Sequence, residues 1–178
     1  MDERRAVKIS KYLAEHLRHR PERIGLALDR GGWADVDALL AASARHGFPI
    51  TRAELDHVVA ADDKQRYVLD GDRIRAAQGH SIRVDLDLPV ASPPDLLYHG
   101  TVRRSVEPIL RDGLLPMDRH AVHLSPDRET ARRVGARRGE PVVLVVQAGR
   151  MAADGHEFRV SANGVWLAGR VPPEYLHE

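Results

Sequence analysis

The 178-residue chain contains no cysteine. That excludes disulfides, thiolate zinc sites and a cysteine nucleophile. No apolar run approaches the ~20 residues that cross a bilayer, and Met1-Asp-Glu-Arg-Arg5 has no apolar signal core. A cytoplasmic protein with no membrane partner is the expectation. An excess of one charge is also missing: 27 Lys and Arg stand against 26 Asp and Glu, a formal net charge of +1. Net charge alone therefore demands no nucleic-acid partner, which has to be argued from where particular arginines fall. There is no internal repeat, low-complexity tract, Walker A loop or G-x-G-x-x-G. His16, His46, His57, His80 and His120 show no metal-ligand spacing, so no metal is expected. With no heptad and no evident apolar stripe, the expected state is a monomer.

What is present is 43% apolar and 30% charged residues, the balance of a soluble globular chain with a real core. Ile9, Tyr12, Leu13, His16 and Leu17 recur at helical spacing and predict an amphipathic helix that Pro21 terminates. Arg18 and His19 then sit at its C-terminal end, where the helix dipole favours cations. Residues 24–28 have a strand-like apolar pattern, and Gly31-Gly32 makes a turn before Trp33. Asp35 can cap a helix that Gly47 closes, and Thr51-Arg-Ala-Glu54 is a capping-box pattern for a third. Residues 66–69 and 73–77 around Asp70-Gly71-Asp72 predict a β-hairpin. Period two along it packs Tyr67 and Leu69 on the helices and turns Arg66, Arg73 and Arg75 outward. Three helices followed by a hairpin suggest a winged-helix domain, and exposed arginines on its wing suit phosphate.

Residues 86–96 hold three prolines and no clear periodicity, which predicts a linker between a domain of residues 1–85 and one of residues 97–178. Beyond it, residues 96–99 and 120–124 predict strands. A helix lies between them, ending near Gly113, with Pro108 confined to its first turn. Residues 127–134 predict a short helix, 142–146 a buried central strand, and 158–160 and 165–167 further strands, with Val165 in the core. The fold class is thus α+β, the second domain mostly β. The stretch from Leu97 to Ser125 carries His99 and His123 on two strand-like pieces. A pair of such strand ends can place imidazoles and backbone amides on one side of a cleft.

Several motifs run in order along the chain. Ser10-Lys-Tyr-Leu13, Leu17-Arg-His-Arg-Pro21, Gly25-Leu26, Gly32-Trp33 and Leu39-Leu40 open it, and Asp63-Lys-Gln-Arg66 and Ile74-Arg-Ala-Ala-Gln-Gly-His-Ser81 follow. Tyr98-His-Gly-Thr101, Met117-Asp-Arg-His-Ala-Val-His-Leu-Ser125 and Asn163-Gly-Val-Trp-Leu167 complete the set. In these motifs the chain resembles the RNA 2′-phosphotransferases over almost its whole length. Ala77 departs from the family, where Asn is common, and the change is expected to weaken one polar contact to RNA.

The resemblance implies a winged-helix lobe and an ADP-ribosyltransferase-like lobe with the active site in the cleft between them. It implies NAD⁺ as co-substrate, RNA carrying a 2′-phosphate as partner, and Arg18, His19, Arg66 and Arg119 as catalytic residues. Arg137, in another arginine-bearing stretch, is the alternative to Arg119. For NAD⁺ it points to His99, Gly100, Thr101, His123, Ser125 and Val165, the last where many ADP-ribosyltransferases place a catalytic glutamate. For RNA it points to Lys64, Gln65, Arg75, Gln78, His80 and Ser81. The implied reaction transfers the 2′-phosphate to NAD⁺ through an ADP-ribosylated RNA phosphate. It yields 2′-OH RNA, ADP-ribose 1″,2″-cyclic phosphate and nicotinamide.

These residue types suit the task. A phosphate monoester carries about −1.5 to −2 charge at neutral pH, and arginine binds it through a planar, permanently charged fork. Histidine, with an unperturbed pKa of ~6.5, is the available acid–base group. Gly100, lacking a Cβ, is expected to let the chain approach the nucleotide closely. Two other readings compete: an ADP-ribosyltransferase that caps phosphorylated RNA or DNA ends, and a winged-helix nucleic-acid-binding protein without turnover. The first is disfavoured by Arg18-His19 and Arg66 together, the second by the lack of a long basic recognition helix.

Overall fold

A computed structural model describes residues 1–117 and 119–178. The chain divides into two compact units, Met1–Asp87 and Leu88–Glu178. Both mix helices with small antiparallel sheets, an α+β architecture.

In the first unit, α1 (Glu3–Ala14) starts at an Asp2 cap and buries Ile9 and Leu13. Its stripe continues through His16 and Leu17, so the predicted periodicity is the buried face. Past Ala14 the helix widens into a π-helical turn, Glu15–His19, closed by Arg20 N–H donating to the Glu15 carbonyl five residues back, at 2.8 Å. Pro21, which has no N–H to donate, then begins a 3₁₀ turn, Pro21–Ile24. The strand expected over 24–28 is absent, because Leu26 N–H turns back to the Pro21 carbonyl rather than to a neighbouring strand.

A two-residue strand β1 (Ala34–Asp35) leads into α2 (Val36–Arg45), capped by the Asp35 side chain. Next comes α3 (Arg52–Ala61), with both halves of the Thr51–Glu54 capping box formed. The hairpin consists of β2 (Tyr67–Asp70) and β3 (Arg73–Ala76), with β1 added on the far side of β3. Tyr67, Ile74 and Ala76 face a core built from Leu17, Leu39, Leu55 and their neighbours. Each such aliphatic side chain contributes roughly 1.5–3 kcal/mol by leaving water.

The second unit holds two three-stranded sheets. One orders β4 (Leu97–Val102), β6 (Pro141–Val146) and β9 (Leu176–His177), with β6 in the middle. The other orders β5 (Val122–Leu124), β8 (Trp166–Ala168) and β7 (Phe158–Val160). They meet at a single bridge, where Tyr98 and Ser125 exchange both backbone hydrogen bonds, at 2.9 and 2.8 Å. Residues 88–96 are tied into this unit by Ala91 N–H to the Phe158 carbonyl and Gly149 N–H to the Asp95 carbonyl.

Among the described residues three α-helices, α4 (Arg103–Asp112), α5 (Arg128–Ala136) and α6 (Ala148–Ala153), and a 3₁₀ turn, Pro173–Tyr175, complete the unit. Pro108 stands in the interior of α4, not its first turn as expected. Both Pro108 and Arg104, whose carbonyl loses its helical donor, lie on the exposed face, where water can replace the bond. Val165 falls just before β8 and is half-buried, so it is not the core strand residue expected.

Helix α5 packs against β4 through glycines. A Cβ at Gly135 would come within 2.7 Å of the Thr101 carbonyl oxygen and 3.0 Å of its nitrogen. Alanine normally favours a helix over glycine by about 1 kcal/mol. Gly135→Ala should nonetheless lower stability by roughly 1–3 kcal/mol, because backbone atoms cannot yield as a flexible side chain can. Gly169 has open space around it, so Gly169→Ala should stay within about 0.5 kcal/mol. Calorimetric melting of the two variants tests the contrast.

Candidate active site

In the first unit the π-helical turn presents Arg18 and His19 beside the loop that follows β3. Ser81 N–H donates to the Arg18 carbonyl at 2.9 Å. His19 Nδ1 lies 2.8 Å from Ser81 Oγ, a hydrogen bond that orients the ring and leaves Nε2 at its opposite end. The Arg18 guanidinium rests on the backbone of Gly79, where a Cβ would stand 3.3 Å from Cζ and Nε. Gly79 has φ +87°, so a side chain there would be both strained and in the way. π-Helical turns are rare and tend to mark functional sites. Here the extra residue brings two adjacent polar side chains to one loop.

Arg66 precedes β2. Its N–H and Nη1 both donate to the Asp62 carboxylate, at 2.9 and 2.7 Å, and its carbonyl accepts from Ala77 N–H at 2.8 Å. The Tyr67 hydroxyl donates to the Ser10 carbonyl at 2.6 Å. Burial pushes the Tyr67 phenol up, while the charges of Arg18 and Arg66 pull it down. Arg18, His19, Gly79 and Ser81 form one cluster, and Arg66 is tied to the start of the same segment through Ala77.

The remaining residues assigned to RNA are distributed differently. Lys64 and Gln65 are exposed on the loop between α3 and β2, with Gln65 at φ +46°. Arg75 donates to the Gly31 carbonyl at 3.2 Å and stacks 4.4 Å from the Trp33 ring, which Arg73 also approaches at 4.1 Å. Gln78 is half-buried, with its Oε1 enclosed. His80 is only 3% exposed and packs by Gly32, so its ring is turned into the unit rather than toward solvent.

In the second unit the two sheets part immediately after the Tyr98–Ser125 bridge. Side-chain and hydrogen-bond directions alternate along a strand, so the Gly100 N–H and carbonyl point to the same edge as those of Tyr98. By the same alternation the His123 backbone faces that opening from β5. It accepts a bond from the His99 ring, and burial holds His99 below the usual imidazole value, with the charge of Arg138 acting in the same direction. On the solvent side, Arg119 Nη1 lies 2.7 Å from His123 Nδ1. A guanidinium only donates, so Nδ1 is the acceptor and His123 carries its proton on Nε2. His99, Gly100, His123, Ser125 and Arg119 thus gather at one split in the sheet.

Thr101, Val165 and Arg137 are placed differently from these residues. Thr101 is fully buried, with its hydroxyl enclosed. Val165 belongs to a turn in which Ser161 accepts its N–H at 3.1 Å. Arg137 is the exposed residue that ends α5. Gly100 also has a reason in the packing of the unit. A Cβ there would come within 1.6 Å of the Ala131 carbonyl oxygen, so the missing side chain serves the packing of α5 on β4.

Sequence reasoning passed over Gly79, Asp62 and Arg138. Gly79 lies inside the recognised Gln-Gly-His-Ser stretch, and Asp62 stands four residues before Arg66. Only the influence of Arg138 on His99 had no local signal. Among the described residues no helix is long and apolar enough to cross a membrane, and no group of three or more His, Cys, Asp and Glu residues is arranged to hold a metal.

Residues 4–170 match the model of the family described as RNA 2′-phosphotransferase, Tpt1 / KptA family. A protein of Streptomyces coelicolor named "Probable RNA 2′-phosphotransferase" is 67% identical over 176 residues, covering 99% of this chain and 97% of its own length. Proteins of the same name from Burkholderia pseudomallei and Trichormus variabilis are 57% and 56% identical. Those alignments cover 96% and 99% of this chain and 94% and 98% of the relatives.

The direction found for His99 has a pH consequence. Its folded value is depressed, so its contribution to stability is fully present above the unfolded imidazole value of ~6.5 and is lost as pH falls. An NMR titration of the His99 ring should show a midpoint below ~6.5. The bond to His123 works in the opposite direction, so a midpoint at or above that value would contradict the burial of the ring.

Proposed function

Since the chain belongs to the RNA 2′-phosphotransferase family, a family of transferases acting on RNA 2′-phosphates, we propose that NAD⁺ is the acceptor of the phosphate it removes. The reading rests chiefly on one observation: two permanent cations, Arg18 and Arg66, are both tied to the segment that follows β3, Arg18 lying on Gly79 beside an oriented His19 and Arg66 bonded through its carbonyl to Ala77. In this reading the first unit is a winged-helix lobe and the second an ADP-ribosyltransferase-like lobe. The three helices and hairpin support the former, and the split between β4 and β5 supports the latter.

The substrate phosphate is a dianion that must be brought against C1″ of the nicotinamide ribose, mainly a problem of orientation and local concentration. Arg18 and Arg66 bind its oxygens. A phosphate oxygen then bonds to C1″ as the bond to nicotinamide breaks, leaving ADP-ribose on the RNA phosphate. In the second step the ribose O2″ loses its proton and attacks phosphorus, and the RNA 2′-oxygen leaves and takes up a proton. His19 moves these protons through Nε2, the nitrogen opposite its bond to Ser81. Arg119 adds positive charge to the crowded phosphoryl transition state. Arginines supply here the neutralisation that magnesium supplies in other phosphoryl transfers, so no metal enters the scheme.

The split edge suits the co-substrate. A nicotinamide carboxamide offers one N–H₂ donor and one carbonyl acceptor, complementary to the Gly100 carbonyl and N–H that face the same edge. His123 and Ser125 line the β5 side, and neutral His99 holds that side in place through the His123 backbone. Thr101, being fully buried, fits a supporting place behind the edge. Arg119 rather than Arg137 is assigned to the reaction, since it is Arg119 that bonds to a residue of the split. On the RNA side, Lys64, Gln65, Arg75 and Ser81 keep polar groups at the surface. Gln78 and His80 support the loop that carries Ser81.

Nicotinamide should be released only when both NAD⁺ and RNA with an internal 2′-phosphate are supplied, with 2′-OH RNA and ADP-ribose 1″,2″-cyclic phosphate as co-products. An end-capping enzyme would stop with ADP-ribose on the phosphate. A general acid–base residue contributes roughly 10²–10⁴-fold, and the need is greatest in the second step. In a single-turnover reaction on 2′-phosphate-labelled RNA, His19→Ala should therefore accumulate the ADP-ribosylated RNA. Uniform slowing with no intermediate at any time would show that His19 serves phosphate binding instead.

A further inference from the structure

We infer that Asp62 is a positioning residue for Arg66, fixing both the backbone and the guanidinium of the arginine that grips the RNA phosphate. The inference rests on the catalytic reading of Arg66 given above and adds a residue to it.

Asp62 is the C-cap of α3, and its carboxylate is 7% exposed. A buried carboxylate needs partners, and this one has three. Oδ1 accepts from Lys64 N–H at 3.1 Å and from Arg66 Nη1 at 2.7 Å, while Oδ2 accepts from Arg66 N–H at 2.9 Å. Its own carbonyl accepts from Gln65 N–H at 3.0 Å, which closes a turn that holds Gln65 at φ +46°. The left-handed conformation is uncommon for a side-chain-bearing residue and persists only where surroundings enforce it. Ala77 N–H to the Arg66 carbonyl anchors the other end. The chain is thus fixed on both sides of the arginine.

The division of the guanidinium matters. One of its two terminal nitrogens is engaged by Asp62, on a side chain 34% exposed. A guanidinium has five N–H donors in a rigid fork, so anchoring one nitrogen still leaves enough of the fork to meet a phosphate bidentately. Holding the side chain in advance also removes part of the ordering that phosphate binding would otherwise require. A capping residue with a purely structural role would need only the backbone bonds. The 2.7 Å contact to Nη1 is what ties this carboxylate to the reacting phosphate's clamp.

The test is a double-mutant cycle on the full chain with Asp62→Ala, Asp62→Asn and Arg66→Ala, each also combined in pairs across the two sites. Rates are measured against 2′-phosphorylated RNA and against NAD⁺, with thermal melting alongside. Asp62→Ala should lower kcat/KM for RNA by about 10-fold or more, the scale of one charge-assisted bond. KM for NAD⁺ should stay within about twofold. Asp62→Asn, which keeps a carbonyl oxygen, should fall between Asp62→Ala and the unaltered protein and melt close to it. In the Arg66→Ala background, neither Asp62 substitution should cost more than about twofold, because the residue it positions is gone. Simple loss of fold would lower kcat while leaving both KM values unchanged. Should Asp62→Ala fail to fold, the Asp62→Asn arm completes the cycle.

The inference is overturned if the Asp62 and Arg66 effects multiply, or if both Asp62 variants turn over RNA as the unaltered protein does while Arg66→Ala is impaired. If Arg66→Ala itself retains full activity, the catalytic reading of Arg66 falls, and this inference falls with it.

Discussion

Tyr98 and Ser125 exchange both of their backbone hydrogen bonds, and the strands that carry them separate at once. The proposed nucleotide edge depends on this one pair. Had the ladder continued, the next bonded pair would have been Gly100 with His123, and their polar groups would have closed on each other. Instead the His123 backbone takes the His99 ring, and the Gly100 groups are left directed into the split. The other side of β4 is held by α5, which approaches so closely that only glycine fits at 100 and 135. Strand β4 is therefore rigid behind and open at its edge, which suits the proposed recognition of a planar amide.

The first unit meets a different difficulty with the same economy. Two guanidiniums near one another repel, and each is a long side chain with much rotamer freedom to lose. Arg18 is laid on a backbone that has no Cβ, at Gly79, and Arg66 is bonded to a buried carboxylate. Neither device neutralises both cations. Arg66 shares its charge with Asp62, while Arg18 rests on Gly79 with no carboxylate in that contact. Preorganisation of this kind is what lets arginine stand in for a metal ion at a phosphoryl group.

Much of the fold was legible in local patterns because the responsible interactions are themselves local. The Asp35 cap, the Thr51–Glu54 box and the hairpin across Asp70-Gly71-Asp72 involve residues a few positions apart, and all formed as the pattern implied. The failures have equally physical causes. Residues 24–28 are apolar and could have been a strand, but a strand needs a partner and Leu26 bonds backward. Pro108 lacks the N–H that a helix interior needs, but Arg104, whose carbonyl loses that donor, faces water. Val165 has the composition of a core strand, yet the turn at Ser161 holds it outside β8.

For the site, the sequence by itself determined the chemical inventory: which arginines and histidines exist, that no thiol is available, and that ordered motifs place the chain with the RNA 2′-phosphotransferases. Residue types and their order are local information and survive without a fold. Only the tertiary structure decided which of those groups meet. His19 comes to Ser81 across 62 positions and Gly79 slides beneath Arg18. His80, from the same motif, is turned inward instead. Gly100 could be read as a place of close approach, but only the fold shows that its missing Cβ makes room for Ala131. Such pairings depend on how elements distant in sequence pack, and packing is settled by the whole core at once rather than by any window of residues.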